Sequence, residues 1–110
     1  MQQGGVRREN VYKPKYLPSF DADLAEAEDY LFEYSPPAAD ALAKTLDEQM
    51  VNLIDYPFMY PVYSGYVGNK EYRIMPLPYQ FLCFYTVDED DKIINMYRIL
   101  HSTRNIPRIL

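Results

Sequence analysis

The chain has 110 residues, enough for one domain around one modest core. At 48% apolar and 25% charged residues its balance is globular rather than disordered. A single cysteine, Cys83, excludes an internal disulfide, and with only one histidine, His101, it leaves no basis for a cysteine-cluster metal site. The start "MQQGGVRREN" lacks the apolar centre of a secretory leader, and no apolar run approaches the ~20 residues that cross a bilayer. The expected compartment is therefore the cytoplasm, with no membrane contact.

Residues 1–10 are expected to be a disordered lead-in to one domain over residues 11–110. "VYKPKYL", residues 11–17, has a short β-type pattern, and Pro14, which cannot donate a ladder bond, makes it an edge strand. "SFDADLAEAEDYLFEY" follows as a helix with Phe20, Leu24, Ala27, Leu31 and Tyr34 on one stripe, capped by Ser19 or Asp21. In "SPP", Ser35 offers an N-cap and Pro36 suits the first helical position. The second helix, residues 36–54, carries the stripe Ala39, Leu42, Leu46, Met50 and Leu53. So short a join makes the two helices an antiparallel hairpin.

Residues 55–69, "DYPFMYPVYSGYVGN", read as a Tyr/Pro/Gly loop packed over the sheet. Three strands follow, at residues 70–76, 79–87 and 92–101, with "DEDD" as the solvated turn before the last. "YQFLCFYTV" is nearly all apolar, as a strand buried on both faces should be, and Cys83 within it is an inert buried thiol. Short links make these strands an antiparallel meander. The fold class is α+β, in the order β-α-α-β-β-β, with a helical hairpin packed on an antiparallel sheet.

Charge divides along the chain. Residues 19–55 hold ten acids against Lys44 alone, whereas residues 92–110 hold Lys92, Arg98, Arg104 and Arg108 and no acid, although the net charge is -5. Such asymmetry suggests two faces with different partners.

Several stretches resemble the RelE/ParE superfamily of bacterial type II toxins, from about Tyr16 to Arg104. They are "SFDADLAEAEDYL" with its Asp23–Leu24 pair, "LDEQMVNLIDYP", and the run "EYRIMPLPYQFLCFYTVDEDDKIINMYRILHSTRN". The last holds a Tyr-Arg at Tyr72–Arg73, a Phe-Tyr-x-Val-Asp at residues 84–88, and an Ile-Leu-His-x-x-Arg signature at residues 99–104. The resemblance implies a growth-inhibiting toxin of a toxin–antitoxin module, a role tied to plasmid stabilization and stress response, with a small antitoxin protein as partner. It implies no cofactor and no metal. It leaves three mechanisms open: ParE-like binding and inhibition of DNA gyrase, the leading one; RelE-like cutting of mRNA on the ribosome; or an inactive homologue that only binds its antitoxin.

For metal-free RNA cleavage, a base, an acid and cations must converge on one phosphate. The resemblance places Arg73 and His101 in that role, joined by Arg104; histidine titrates near neutrality and a guanidinium offers a planar fork. The binding reading instead uses the basic end: Tyr97, Arg98, Arg104 and Arg108. Strand alternation puts Tyr97, Ile99 and His101 on one face of the last strand, and Arg98 and Leu100 on the other. The structural alternative for Arg73 is pairing with a helix acid.

Overall fold

The computed structural model describes residues 11–110; the expected disorder of residues 1–10 lies outside this range. Strand β1 is Lys13–Tyr16, and helices α1 and α2 are Pro18–Tyr34 and Pro36–Leu53. After the loop come β2 (Arg73–Pro76), a 3-10 turn at Pro78–Gln80, β3 (Phe81–Asp88), β4 (Ile93–His101) and the one-turn α3 (Ile106–Ile109).

The two helical stripes form as their spacing requires. Phe20, Ala27 and Leu31 of α1 and Leu42, Leu46, Met50 and Leu53 of α2 are buried against the sheet. Tyr34, placed on the same stripe by spacing, is 75% exposed, its ring packed edge-on to Tyr30 at 5.2 Å rather than into the core. Proline at the first position of each helix needs no N–H there. Neither Ser19 nor Ser35 makes a side-chain cap bond. Ser19 lies inside α1, and its hydroxyl donates to the Tyr97 carbonyl on β4 at 2.7 Å.

The sheet runs β1-β4-β3-β2. The last three strands form the expected antiparallel meander, but β1 joins β4 in parallel, so the sheet is mixed rather than antiparallel. Lys13 and Leu17 donate their amides to the Lys92 and Met96 carbonyls, at 2.9 and 3.1 Å. Pro14, between them, faces the free edge, where its missing N–H costs no ladder bond.

β3 is buried on both sides. Phe81, Cys83 and Tyr85 join the core under the helices, with Met75, Ile94, Met96 and Ile99. Phe84 joins a second apolar layer with Tyr72, Leu100 and Ile106. Tyr63 and Tyr66 from the loop and Ile109 and Leu110 from the C-terminus cover that layer. The Tyr/Pro loop is thus a cover over the sheet, as its composition suggested. It also shields the β2 edge: Tyr63 N–H donates to the Tyr72 carbonyl at 2.7 Å, and Ile74 N–H to the Pro61 carbonyl at 3.0 Å. Gly65 and Gly68 leave room for the ring ends of Tyr63 and Tyr66, which lie where a Cβ would stand.

One irregularity organises β4. Phe84 pairs with Arg98 and Tyr85 with Met96, so Tyr97 is an extra residue, a β-bulge. Backbone groups freed at a bulge need other partners, and α1 supplies them. Asp23 Oδ2 accepts from Ile99 N–H at 3.0 Å and from Arg98 Nε at 2.6 Å, while its Oδ1 accepts from Arg98 Nη2 at 3.0 Å. Ser19 reaches the Tyr97 carbonyl beside them. This carboxylate raises the Arg98 pKa above its ordinary value, outweighing partial burial.

Two predictions follow from this packing. Asp23→Ala strands both the guanidinium and the Ile99 amide, and should cost about 2–3 kcal/mol in urea unfolding, with Asp23→Asn costing less. An unchanged midpoint would show that the bulge needs no support from α1. Burial also pushes the Cys83 thiol far up. A thiol raised in the folded state stabilises below its unfolded pKa and loses that contribution as pH rises. Stability should therefore fall above about pH 8.5 by up to about 1.4 kcal/mol per pH unit, and Cys83→Ala should flatten that slope. A disulfide thiol reagent should react with Cys83 only on unfolding.

Candidate functional site

The bulge decides which candidate residues meet. Tyr97 points into the second apolar layer, its ring edge-on to Tyr72 at 5.4 Å and under the Lys70 ammonium at 5.8 Å. Ile99 and His101 lie on the helix side, with the His101 ring edge-on to Phe81 at 5.2 Å. Tyr97 and His101 are therefore on opposite faces, not on the same face as regular alternation required. One inserted residue moves everything before it by one step relative to everything after it. Arg98, expected on the face away from His101, instead reaches the helix layer through Asp23.

Arg73 sits elsewhere. It pairs across the sheet with Tyr85, and His101 with Phe81, from opposite sides of β3. Four residues separate these partners, about 13 Å along the strand at about 3.3 Å per residue. The Arg73 guanidinium donates to the Tyr60 carbonyl at 2.7 Å and stacks over the Phe58 ring at 4.9 Å. The carboxylate beside it is the exposed Glu71, two residues before it in the chain, at 3.9 Å, so it does not pair with a helix acid. Arg73 holds the loop as a structural cation. Beside it, the buried Tyr85 hydroxyl donates to the Pro57 carbonyl at 2.8 Å, and burial drives that phenol's pKa well above its usual value.

Arg104 does lie near His101. Both line a cleft of about 380 Å³ with Asp23, Glu26, Tyr30 and Thr103. His101 Nδ1 is 2.8 Å from Thr103 Oγ1 and accepts the Thr103 N–H at 3.3 Å. The cleft thus joins one imidazole, one guanidinium and two carboxylates, and Asp23 is already committed to Arg98. Arg108 is exposed on α3, while Ile106 of the same turn is buried, so "NIPRIL" is a docked segment with a basic outer side rather than a loose tail. Of the expected cations, only Arg104 accompanies His101.

Sequence reasoning assigned no role to Asp23 beyond a family motif, and none to Ser19 beyond a cap. Their partners lie 75 and 78 positions away. No local pattern signals such contacts. Among the described residues no group of three or more His, Cys, Asp or Glu side chains is placed to hold a metal ion, and no helix is long and apolar enough to cross a membrane.

The arrangement has relatives. Its fold is similar to a chain of the chromosomal ParDE toxin–antitoxin system from P. aeruginosa, with TM-score 0.65 and 21% identity, over 84% of this chain and 98% of that one. It is also similar to a chain of the RelBE2 toxin–antitoxin complex from Mycobacterium tuberculosis, with TM-score 0.56 and 14% identity, over 83% and 98%. No curated protein matches the sequence. Residues 15–106 match the family described as ParE toxin of type II toxin–antitoxin system, parDE. With most of its length inside that match, the chain belongs to the ParE toxin family.

Proposed function

We propose that this protein is the toxin of a type II module and arrests growth by binding and inhibiting DNA gyrase, with a cognate antitoxin as its cytoplasmic partner. The observation that carries the binding reading is the separation of Arg73 from His101. A ribonuclease needs acid, base and cation around one phosphate, and here the expected cation is spent on the Tyr60 carbonyl. The cleft around His101 adds to this. Its walls carry Asp23 and Glu26, so an entering RNA phosphate would meet carboxylates as well as Arg104. Family membership and the two toxin–antitoxin relatives support the antitoxin partner.

For the target, the exposed basic end is the working surface, with Arg104 and Arg108 as its free cations. Tyr97 and Arg98 contribute from behind, Tyr97 by packing against Tyr72 and Arg98 by fixing the bulge. The RelE-like alternative keeps one favourable observation, the presence of His101 and Arg104 in a single cleft. Its prediction is sharp: His101→Ala should abolish growth arrest.

Two experiments separate these readings. Pulse labelling in the first minutes after induction in a bacterial host should show DNA synthesis stopping before protein synthesis, and His101→Ala should arrest growth as the parent does. Translation stopping first, with His101→Ala inert, would establish the ribonuclease reading instead. With purified gyrase, the double variant Arg104→Glu and Arg108→Glu should raise the concentration needed to inhibit supercoiling by about tenfold or more. If induction changes neither synthesis, the chain is an inactive homologue.

A further inference from the structure

Two recesses meet beside α1, and their chemistry differs. The cleft of about 380 Å³ holds Glu26 and Arg104 together with Asp23 and Thr103. Asp23 is spent on Arg98 and the Ile99 amide. Glu26 and Arg104 are not spent: among the described residues neither side chain makes a hydrogen bond or a salt bridge. One carboxylate and one guanidinium thus stand uncommitted in a single cleft, and their charges cancel. The second recess, of about 420 Å³, is lined by Tyr30, Tyr34, Tyr79, Leu31, Ala38 and Gln80, and no acid, lysine or arginine borders it. Tyr30 and His101 line both recesses, so the two form one groove with an uncharged aromatic end and a dipolar end.

An uncommon backbone sets the aromatic end. Tyr79 and Gln80 are consecutive non-glycine residues at φ 62° and 65°, in the left-handed region. L-residues adopt that conformation at a cost, and such strain persists only where surrounding contacts impose it. Here Leu77 N–H donates to the Phe81 carbonyl and Ser102 N–H to the Gln80 carbonyl, each at 2.8 Å. The turn leaves the Tyr79 side chain 48% exposed. On the α1 side of the same recess Tyr30, 50% exposed, meets Tyr34 edge-on at 5.2 Å. Three accessible tyrosine rings therefore border one uncharged slot.

We propose that this groove binds a free aromatic α-amino acid, its ring in the tyrosine slot and its zwitterionic head between Arg104 and Glu26. Each end of the groove selects one part of the molecule. An aromatic ring packs edge to face against tyrosines and gains by leaving water. A guanidinium fork takes a carboxylate through two N–H donors, and a carboxylate accepts from an ammonium. A ligand of a single sign gains from one of these two groups and is opposed by the other. An amino acid carries both signs on one carbon and so uses both. Each recess lies within the range of about 300–1,000 Å³ common to small-molecule sites. Ligand choice here follows from the groove's own residues and depends neither on gyrase nor on an antitoxin.

Calorimetric titration of the full chain with L-phenylalanine provides the test. Binding should appear with a Kd of about 1 mM or tighter. Three analogues remove one part each: L-alanine the ring, N-acetyl-L-phenylalanine the ammonium, and L-phenylalaninamide the carboxylate. Each should bind at least about tenfold more weakly. Tyr34→Ala with Tyr79→Ala should weaken phenylalanine binding about tenfold while the thermal transition stays put, since both side chains are exposed. Glu26→Gln should erase the preference for phenylalanine over its N-acetyl form, and Arg104→Gln the preference over its amide. A general loss of folding would instead weaken every ligand alike. Absence of phenylalanine binding in that range, equal binding of the analogues, or undiminished binding to the tyrosine variant would overturn the proposal. So would adenosine binding more tightly than phenylalanine, since a flat uncharged ring would then be the occupant.

Discussion

Asp23 ties the first helix to the last strand, and the remaining geometry depends on that carboxylate. It accepts two bonds from Arg98 and one from the Ile99 amide, and a neighbouring hydroxyl, Ser19, answers the Tyr97 carbonyl. A bulge in the interior of a sheet would otherwise leave backbone groups without partners. With them satisfied, β4 can turn Tyr97 to one face and His101 to the other. The helical hairpin is fixed over the sheet by the same contacts, because α1 reaches the bulge with polar side chains while Phe20, Ala27 and Leu31 fill the core below.

The helices were legible because their apolar residues repeat at steps of three and four over four or five turns. The meander was legible because its strands are apolar and closely linked. The partner of β1 was not, since pairing Lys13 with Ile93 is a choice made across 80 positions, and the β pattern of "VYKPKYL" suits a parallel neighbour as well as an antiparallel one. The bulge was hidden for a different reason. "INMYRILH" contains no glycine and keeps its apolar residues close together, so nothing marks Tyr97 as extra. Simple alternation misassigned the face of Tyr97, whereas Ile99, Leu100 and His101 alternate as expected.

Candidate site residues suffered most from this. Arg73, His101 and Arg104 are drawn together by motifs, and Tyr97 and Arg98 by their place in the basic end, but order along a chain says little about which carbonyl a guanidinium will choose. Arg73 found Tyr60 in a Tyr/Pro loop whose path no periodicity describes. The strained pair Tyr79–Gln80 was equally unreadable, since left-handed backbone is normally announced by glycine or asparagine. The charge split, by contrast, was visible at once and survives in three dimensions, with acids along α1 and the exposed cations Arg104 and Arg108 beyond β4.

The parallel pairing of β1 with β4 has a consequence for the timing of synthesis. Residues 13–16 cannot find their strand neighbour until residues 93–96 exist, and Asp23 has no cation to hold before residue 98 is made. At about 5–20 residues per second, several seconds separate the making of β1 from the making of its neighbour. A ribosome that stalls or terminates early releases a fragment that lacks both the β1–β4 pairing and the Asp23 clasp. The four-stranded sheet is therefore closed from its far end: its first-made strand waits for its last-made one, and both the pairing and the clasp form together once β4 exists.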